Sequence, residues 1–197
     1  MIIAAIDVGS PKNTGWYSSS GHSDCGDVEG LLKIVCNELV NSRQVSLGFE
    51  APLWVPRARE FSRMTANRGG VESLHGRPWS AGAGCGSLTS GVANAAYFFE
   101  AIHSRVGSVE CTTQPLRFQN GNASLFVWEA FVSGRLKSKS HDGDAQLAVE
   151  AFVKNWPDTT TCIDLEKSVN IVASVILATG HNIDIDEIGV PGIVYSA

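Results

Sequence analysis

Asp7, Glu50, His141 and Asp144 are the side chains of this 197-residue sequence whose types and positions together could do chemistry. Asp7 closes an apolar run, Glu50 closes an alternating one, and His141 with Asp144 opens an amphipathic stretch. Taken singly, an Asp before Gly-Ser is a turn residue, a Glu at a strand end is solvated, and Asp142 or Asp144 caps a helix. Together they point to a cation. Carboxylates forced into one partly buried place repel, and a divalent ion between them removes that repulsion. An all-oxygen donor set suits Mg²⁺ or Mn²⁺ rather than zinc. His141 and Asp144 stand at i, i+3 and share a helix face, where an imidazole can ligate, orient a water or carry a proton.

The elements that must hold these groups follow from periodicity. Residues 2–8 form a short apolar run ending in Asp-Val-Gly-Ser-Pro, which reads as a buried strand meeting a turn. Residues 13–18 read as a second strand and 22–26 as a weak, polar edge strand. From Val28, apolar residues recur at Leu31, Leu32, Val35, Leu39 and Val40, the stripe of an amphipathic helix with Asp27 as its expected N-cap. Residues 45–50 alternate and end at Glu50, with Pro52 opposing continuation. A second helix carries Val92, Ala95, Ala96, Phe99, Ile102 and Val106. Residues 109–113 form a further strand, whereas 125–132 fits strand or helix equally. A helix starts near Asp142 and stops at Trp156-Pro157, and a last one spans about 166–180.

Three strands joined by tight turns suit an antiparallel meander. The helix before residues 45–50 supplies the crossover that sets this strand parallel to the first. The expected fold is therefore α/β, a mixed five-stranded sheet flanked by helices in a single domain over 1–197. Asp7 and Glu50 then emerge side by side at one end of the sheet.

Composition excludes several classes. Hydrophobic residues make up 44% and charged residues 18%, the profile of an ordinary globular core rather than a disordered chain. No apolar run is long enough to span a bilayer, and the N-terminus lacks the basic region of a secretory signal. The five cysteines are odd in number and show no C-x-x-C pair. Reduced thiols in a cytoplasmic setting are the expectation, with no thiolate zinc site. A G-x-S-x-G elbow is absent too, which leaves no support for a serine hydrolase.

Net charge is −5, so the whole chain is no general polyanion binder. The charges are unevenly spread. Residues 1–140 hold 13 Lys and Arg against 11 Asp and Glu, while 141–197 hold 2 against 9. Arg57, Arg59, Arg63, Arg68 and Arg77 fall within residues 51–86, an Arg/Gly-rich insertion without a sustained period. So long a stretch in a compact domain is usually functional. Arg57, Arg59, Arg63 and Arg68 are expected as a cationic rim for phosphates, interleaved with Trp54, Phe61 and Trp79. The Gly-rich segment 82–91, with Ser87, precedes a helix and could offer N–H groups to a phosphate, though it lacks the Lys of a P-loop.

The motifs Ile6-Asp7-Val8-Gly9, Thr14-Gly15-Trp16, Phe49-Glu50-Ala51-Pro52 and His141-Asp142-Gly143-Asp144-Ala145 together resemble the RNase H-like superfamily. More narrowly they are similar to RuvC-type Holliday junction resolvases and related nucleases of unassigned substrate. The resemblance spans residues 2–155; the 51–86 insertion and the last helix lie outside it. It implies a metal-dependent nuclease acting on nucleic acid, DNA ahead of RNA and branched DNA among its substrates. A junction resolvase would also need two active sites, hence a homodimer.

Two Mg²⁺ ions roughly 3.5–4 Å apart would serve phosphodiester hydrolysis. Asp7 would bridge them, Glu50 and Asp144 would complete either side, and His141 or Asp142 would be an outer ligand or proton acceptor. Two other classes compete. An actin- or sugar-kinase-like phosphotransferase shares the strand-end Asp-x-Gly turn but needs two such domains. A non-catalytic nucleic-acid- or protein-binding module is the other alternative, and the retained Asp7, Glu50 and Asp144 count against it.

Overall fold

The computed structural model describes residues 1–57, 60, 62, 68, 72, 84–132, 137–157 and 168–197. Strand β1 (Ile2–Asp7) is rich in β-branched residues and lies inside the sheet. It pairs antiparallel with β2 (Gly15–Ser18), which pairs antiparallel with β3 (Ser23–Cys25). Helix α1 (Glu29–Val40) then crosses over to β4 (Val45–Glu50), which runs parallel to β1. Meander and crossover are both as expected. The Asp27 carboxylate accepts the Glu29 N–H at 2.8 Å, so it serves the first turn although Val28 holds the cap position.

The strand count is a correction: the main sheet has seven strands, not five. The ambiguous 125–132 run is β7 (Leu125–Phe131), parallel to β4 and buried along its whole length. On its far side run the two-residue β6 (Cys111–Thr112) and the C-terminal β9 (Val194–Ser196), both parallel to β7. A separate two-stranded sheet joins β5 (Trp54–Pro56) to β8 (Ser168–Asn170). The architecture is thus α/β, a mixed sheet flanked by helices. Among the described residues, no helix is long and apolar enough to cross a membrane.

Alternation along the strands divides the core into two layers. Ile6, Phe49 and Val127 face α1, the long helix α2 (Cys85–Val106) and α5 (Ile171–Ala178). Ala5, Phe126, Trp128 and Ala130 face α4 (His141–Asn155), where the Phe152 ring lies tilted 4.8 Å from that of Trp128. The short helix α3 (Pro115–Gln119) adds Phe118 to that second layer. Trp128 leaves no room for a side chain on β4: a Cβ at Gly48 would lie 2.5 Å from its ring. Asp7 and Glu50 share the parity of Ala5 and Gly48, so both project towards α4.

Two helix expectations need adjustment. Helix α2 begins at Cys85, so most of the Gly-rich 82–91 segment is helical rather than a loop. The last helix is Ile171–Ala178, shorter than 166–180, because Ser168–Asn170 is taken by β8. The Asn170 side chain caps it, accepting the Ala173 N–H at 3.2 Å.

Helix α4 lies hard against β2. A Cβ on Gly15 would stand 2.3 Å from the His141 carbonyl carbon and 2.4 Å from the Asp142 nitrogen. Both atoms are backbone and cannot swing aside. Gly15→Ala is therefore expected to cost about 1–3 kcal/mol of overpacking. Denaturant unfolding measures it, and an unchanged midpoint would disprove the close approach.

Candidate metal centre

The parallel register places Asp7 directly opposite Glu50. Helix α4 brings the third carboxylate. The Ser140 hydroxyl caps it, accepting the Gly143 N–H at 3.3 Å, and Asp144 follows in the first turn. Asp7, Glu50 and Asp144 are 4%, 5% and 5% exposed. Their ligand oxygens lie within 4.8 Å of one another. Three groups expected to meet do meet.

The carboxylates are held from several sides. His141 Nδ1 contacts Asp7 Oδ2, and the Ser138 N–H donates to Asp144 Oδ1. Lys137 Nζ reaches Glu50 Oε1 at 3.0 Å and Asp144 Oδ2 at 3.5 Å. Among the described residues, the buried Glu50 Oε2 has no hydrogen-bond partner. A buried, orphaned carboxylate oxygen beside two further carboxylates fits a hard divalent cation. Lys137 was not anticipated: a lone lysine in a Lys/Ser-rich run carries no sequence signal of a centre formed by distant elements.

Burial and the adjacent Asp7 push Glu50 up to about 8 from its ordinary 4.5, with Lys137 pulling the other way. Burial works against the Lys137 ammonium, but Glu50, Asp7 and Asp144 hold it charged, above the usual lysine value. A consequence for pH follows. A carboxyl raised on folding binds its proton more tightly in the native state, so its contribution to stability is complete below about 4.5. That contribution is lost as pH rises through about 8. In EDTA the protein is expected to lose stability across this window, and Glu50→Gln to remove that part of the slope. Thermal melts between pH 5 and pH 8 would show it. An identical slope in the variant would disprove the assignment.

The other expected site residues divide. Asp142 is not in the carboxylate cluster: it is held below the usual range by the Ser140 hydroxyl and lies 3.5 Å from Ser23 Oγ. Arg57 is exposed just beyond β5. Arg59 and Arg63 lie outside the described residues. Arg68 is a correction. It is 1% exposed, ion-paired to the buried Glu72 and Glu129, and 4.3 Å over the Trp54 ring, so it belongs to no cationic rim. A cation in a polar insertion reads as solvated; the signal available was Glu72 at i+4 and Glu129 inside an apolar run.

Ser87 lies in the first turn of α2, partly exposed. That turn holds no acidic residue and, among the described residues, has no side-chain cap. One turn on, Gly91 packs so closely on Ala51 that a Cβ there would stand 2.4 Å from the Ala51 Cβ. The start of α2 is thereby tied to the residue following Glu50. Between α2 and the β1–β2 turn is a cavity of about 570 Å³, lined by Gly9, Thr14, Asp27, Asn94 and Tyr97 among others. Among the described residues its lining contains no lysine or arginine to offer a phosphate counter-charge. No family model, curated protein or solved structure matches this chain.

Proposed function

We propose that the protein is a divalent-metal-dependent nuclease of RNase H-like type, hydrolysing phosphodiester bonds, with DNA ahead of RNA as substrate. The observation that carries this reading is the convergence of buried Asp7, Glu50 and Asp144 from two adjacent parallel strands and a helix N-terminus. These three would hold Mg²⁺ or Mn²⁺, which when bound shields phosphoryl charge and acidifies water.

The chain's own residues do the rest. Asp7 closes an interior strand of the sheet, and His141 contacts one of its oxygens. With Nδ1 committed to Asp7, the imidazole has Nε2 left to accept a proton, and its side chain is 45% exposed towards solvent. The uncapped start of α2 with Ser87 and the exposed Arg57 supply N–H groups and charge for a phosphate chain.

The test is a cleavage panel of four-way junctions, duplex and single-stranded DNA and RNA–DNA hybrids, with Mg²⁺ or Mn²⁺. Cleavage of at least one member, stopped by EDTA, is expected. Divalent-ion binding with no cleavage of any member would favour the non-catalytic binding module instead.

A further inference from the structure

We propose that Lys137 is a built-in cation of the acidic centre, so that the centre takes one divalent ion rather than two. The inference rests on the metal-centre reading above and concerns how many ions that centre accepts. Lys137 Nζ lies 3.0 Å from Glu50 Oε1 and 3.5 Å from Asp144 Oδ2, bridging two of the three carboxylates. His141 takes Asp7 Oδ2, and the Ser138 N–H takes Asp144 Oδ1. Among the described residues, the buried Glu50 Oε2 is left without a partner.

Charge counting agrees with this geometry. Asp7, Glu50 and Asp144 together carry −3 when ionised, Lys137 returns +1, and a single dication then brings the cluster to neutrality. A second dication would bring the cluster to +2, against +1 without Lys137, and would have to displace an ammonium already bonded to its ligands. Lys137 reaches in from the segment immediately before α4, its side chain 47% exposed. The segment leading into the helix that carries Asp144 therefore supplies the competing cation, and its Ser138 N–H holds Asp144 as well. In this arrangement Lys137 supplies a positive charge between Glu50 and Asp144. It is a positioning and electrostatic group for Glu50 and Asp144.

The experiment is calorimetric titration of the full chain with Mn²⁺, comparing wild type, Lys137→Met and Lys137→Arg, with thermal melts of each in EDTA. One equivalent is expected for wild type and for Lys137→Arg, and two for Lys137→Met, whose unbranched stem keeps the packing without the charge. In EDTA, Lys137→Met should melt about 2–4 °C lower, the shift that ~1 kcal/mol produces in a chain of this size. Two equivalents in wild type, or one retained in Lys137→Met, would overturn the inference while leaving the metal centre standing. An unchanged melting point for Lys137→Met in EDTA would overturn it as well. No Mn²⁺ binding by any of the three proteins would overturn the metal-centre reading itself, and this inference with it.

Discussion

Asp7→Asn is expected to abolish Mg²⁺-dependent cleavage while leaving the fold intact. Asn matches the shape of Asp and keeps an oxygen for His141, so packing at this 4%-exposed position should persist. What disappears is the negative charge of one of the cluster's three carboxylates. A preorganised charge in a water-poor site does work that bulk solvent cannot replace. Losing one oxyanion-hole donor already costs about a hundred- to a thousandfold in rate, and losing a metal-binding carboxylate should cost at least the upper end of that range.

Without metal, the same substitution should stabilise the protein. Asp7 is the neighbouring charge that, after burial, pushes Glu50 upwards, and Asn removes that repulsion. The two effects have opposite signs and different readouts, so misfolding cannot imitate the result. Asp142→Asn, one residue along α4 from His141 but outside the cluster, is the matched control and should retain most activity. Cleavage at the wild-type rate by Asp7→Asn, or cleavage that survives EDTA, would refute the mechanism.

The juxtaposition of Asp7 and Glu50 was legible in the sequence because it needs only two inferences: a helical stripe between two apolar strands, and the rule that such a crossover joins parallel neighbours. Asp144 was legible because Asp142 and Asp144 mark a helix start before a periodic run, although the cap itself is Ser140. The outer strands were not. Residues 111–112 and 194–196 are too short to show any period, and β9 is recruited to β7 by sheet pairing, which no local pattern encodes. For 125–131, burial on both faces removes the alternation that distinguishes strand from helix. Lys137 and Arg68 were missed for one reason. A cation's role is set by which carboxylates the tertiary fold brings to it, and those lie 61 to 87 positions away for Glu129 and Glu50.

Arg68→Met is expected to be the most destabilising single substitution proposed for this protein. Arg68 Nε donates to Glu72 Oε1 at 2.6 Å, and its backbone N–H donates to Glu72 Oε2 at 2.8 Å. Its Nη1 donates to Glu129 Oε2 at 2.9 Å and to the Trp54 carbonyl at 3.0 Å, while Nη2 contacts Glu129 Oε1. Glu129 Oε2 also accepts the Leu53 N–H at 3.0 Å, so the ion cluster ties the central strand β7 to the segment following Glu50.

Burial acts against the Arg68 charge, but Glu129 and Glu72 outweigh it and keep the guanidinium ionised. Burial likewise raises the Glu129 carboxyl, and Arg68 pulls it back. Methionine fills much of the volume but leaves Glu72 and Glu129 buried without their counter-ion. Breaking a buried pair from one side typically costs about 3–5 kcal/mol, far more than the intact pair contributes, because the remaining charge is stranded.

Adding Glu129→Gln should recover part of that loss, since a neutral amide needs no counter-ion and can still accept the Leu53 N–H. Urea unfolding of the single and double variants supplies the comparison. A loss under 1 kcal/mol for Arg68→Met would mean that the guanidinium is solvated, and it would return Arg68 to the pool of candidate phosphate contacts.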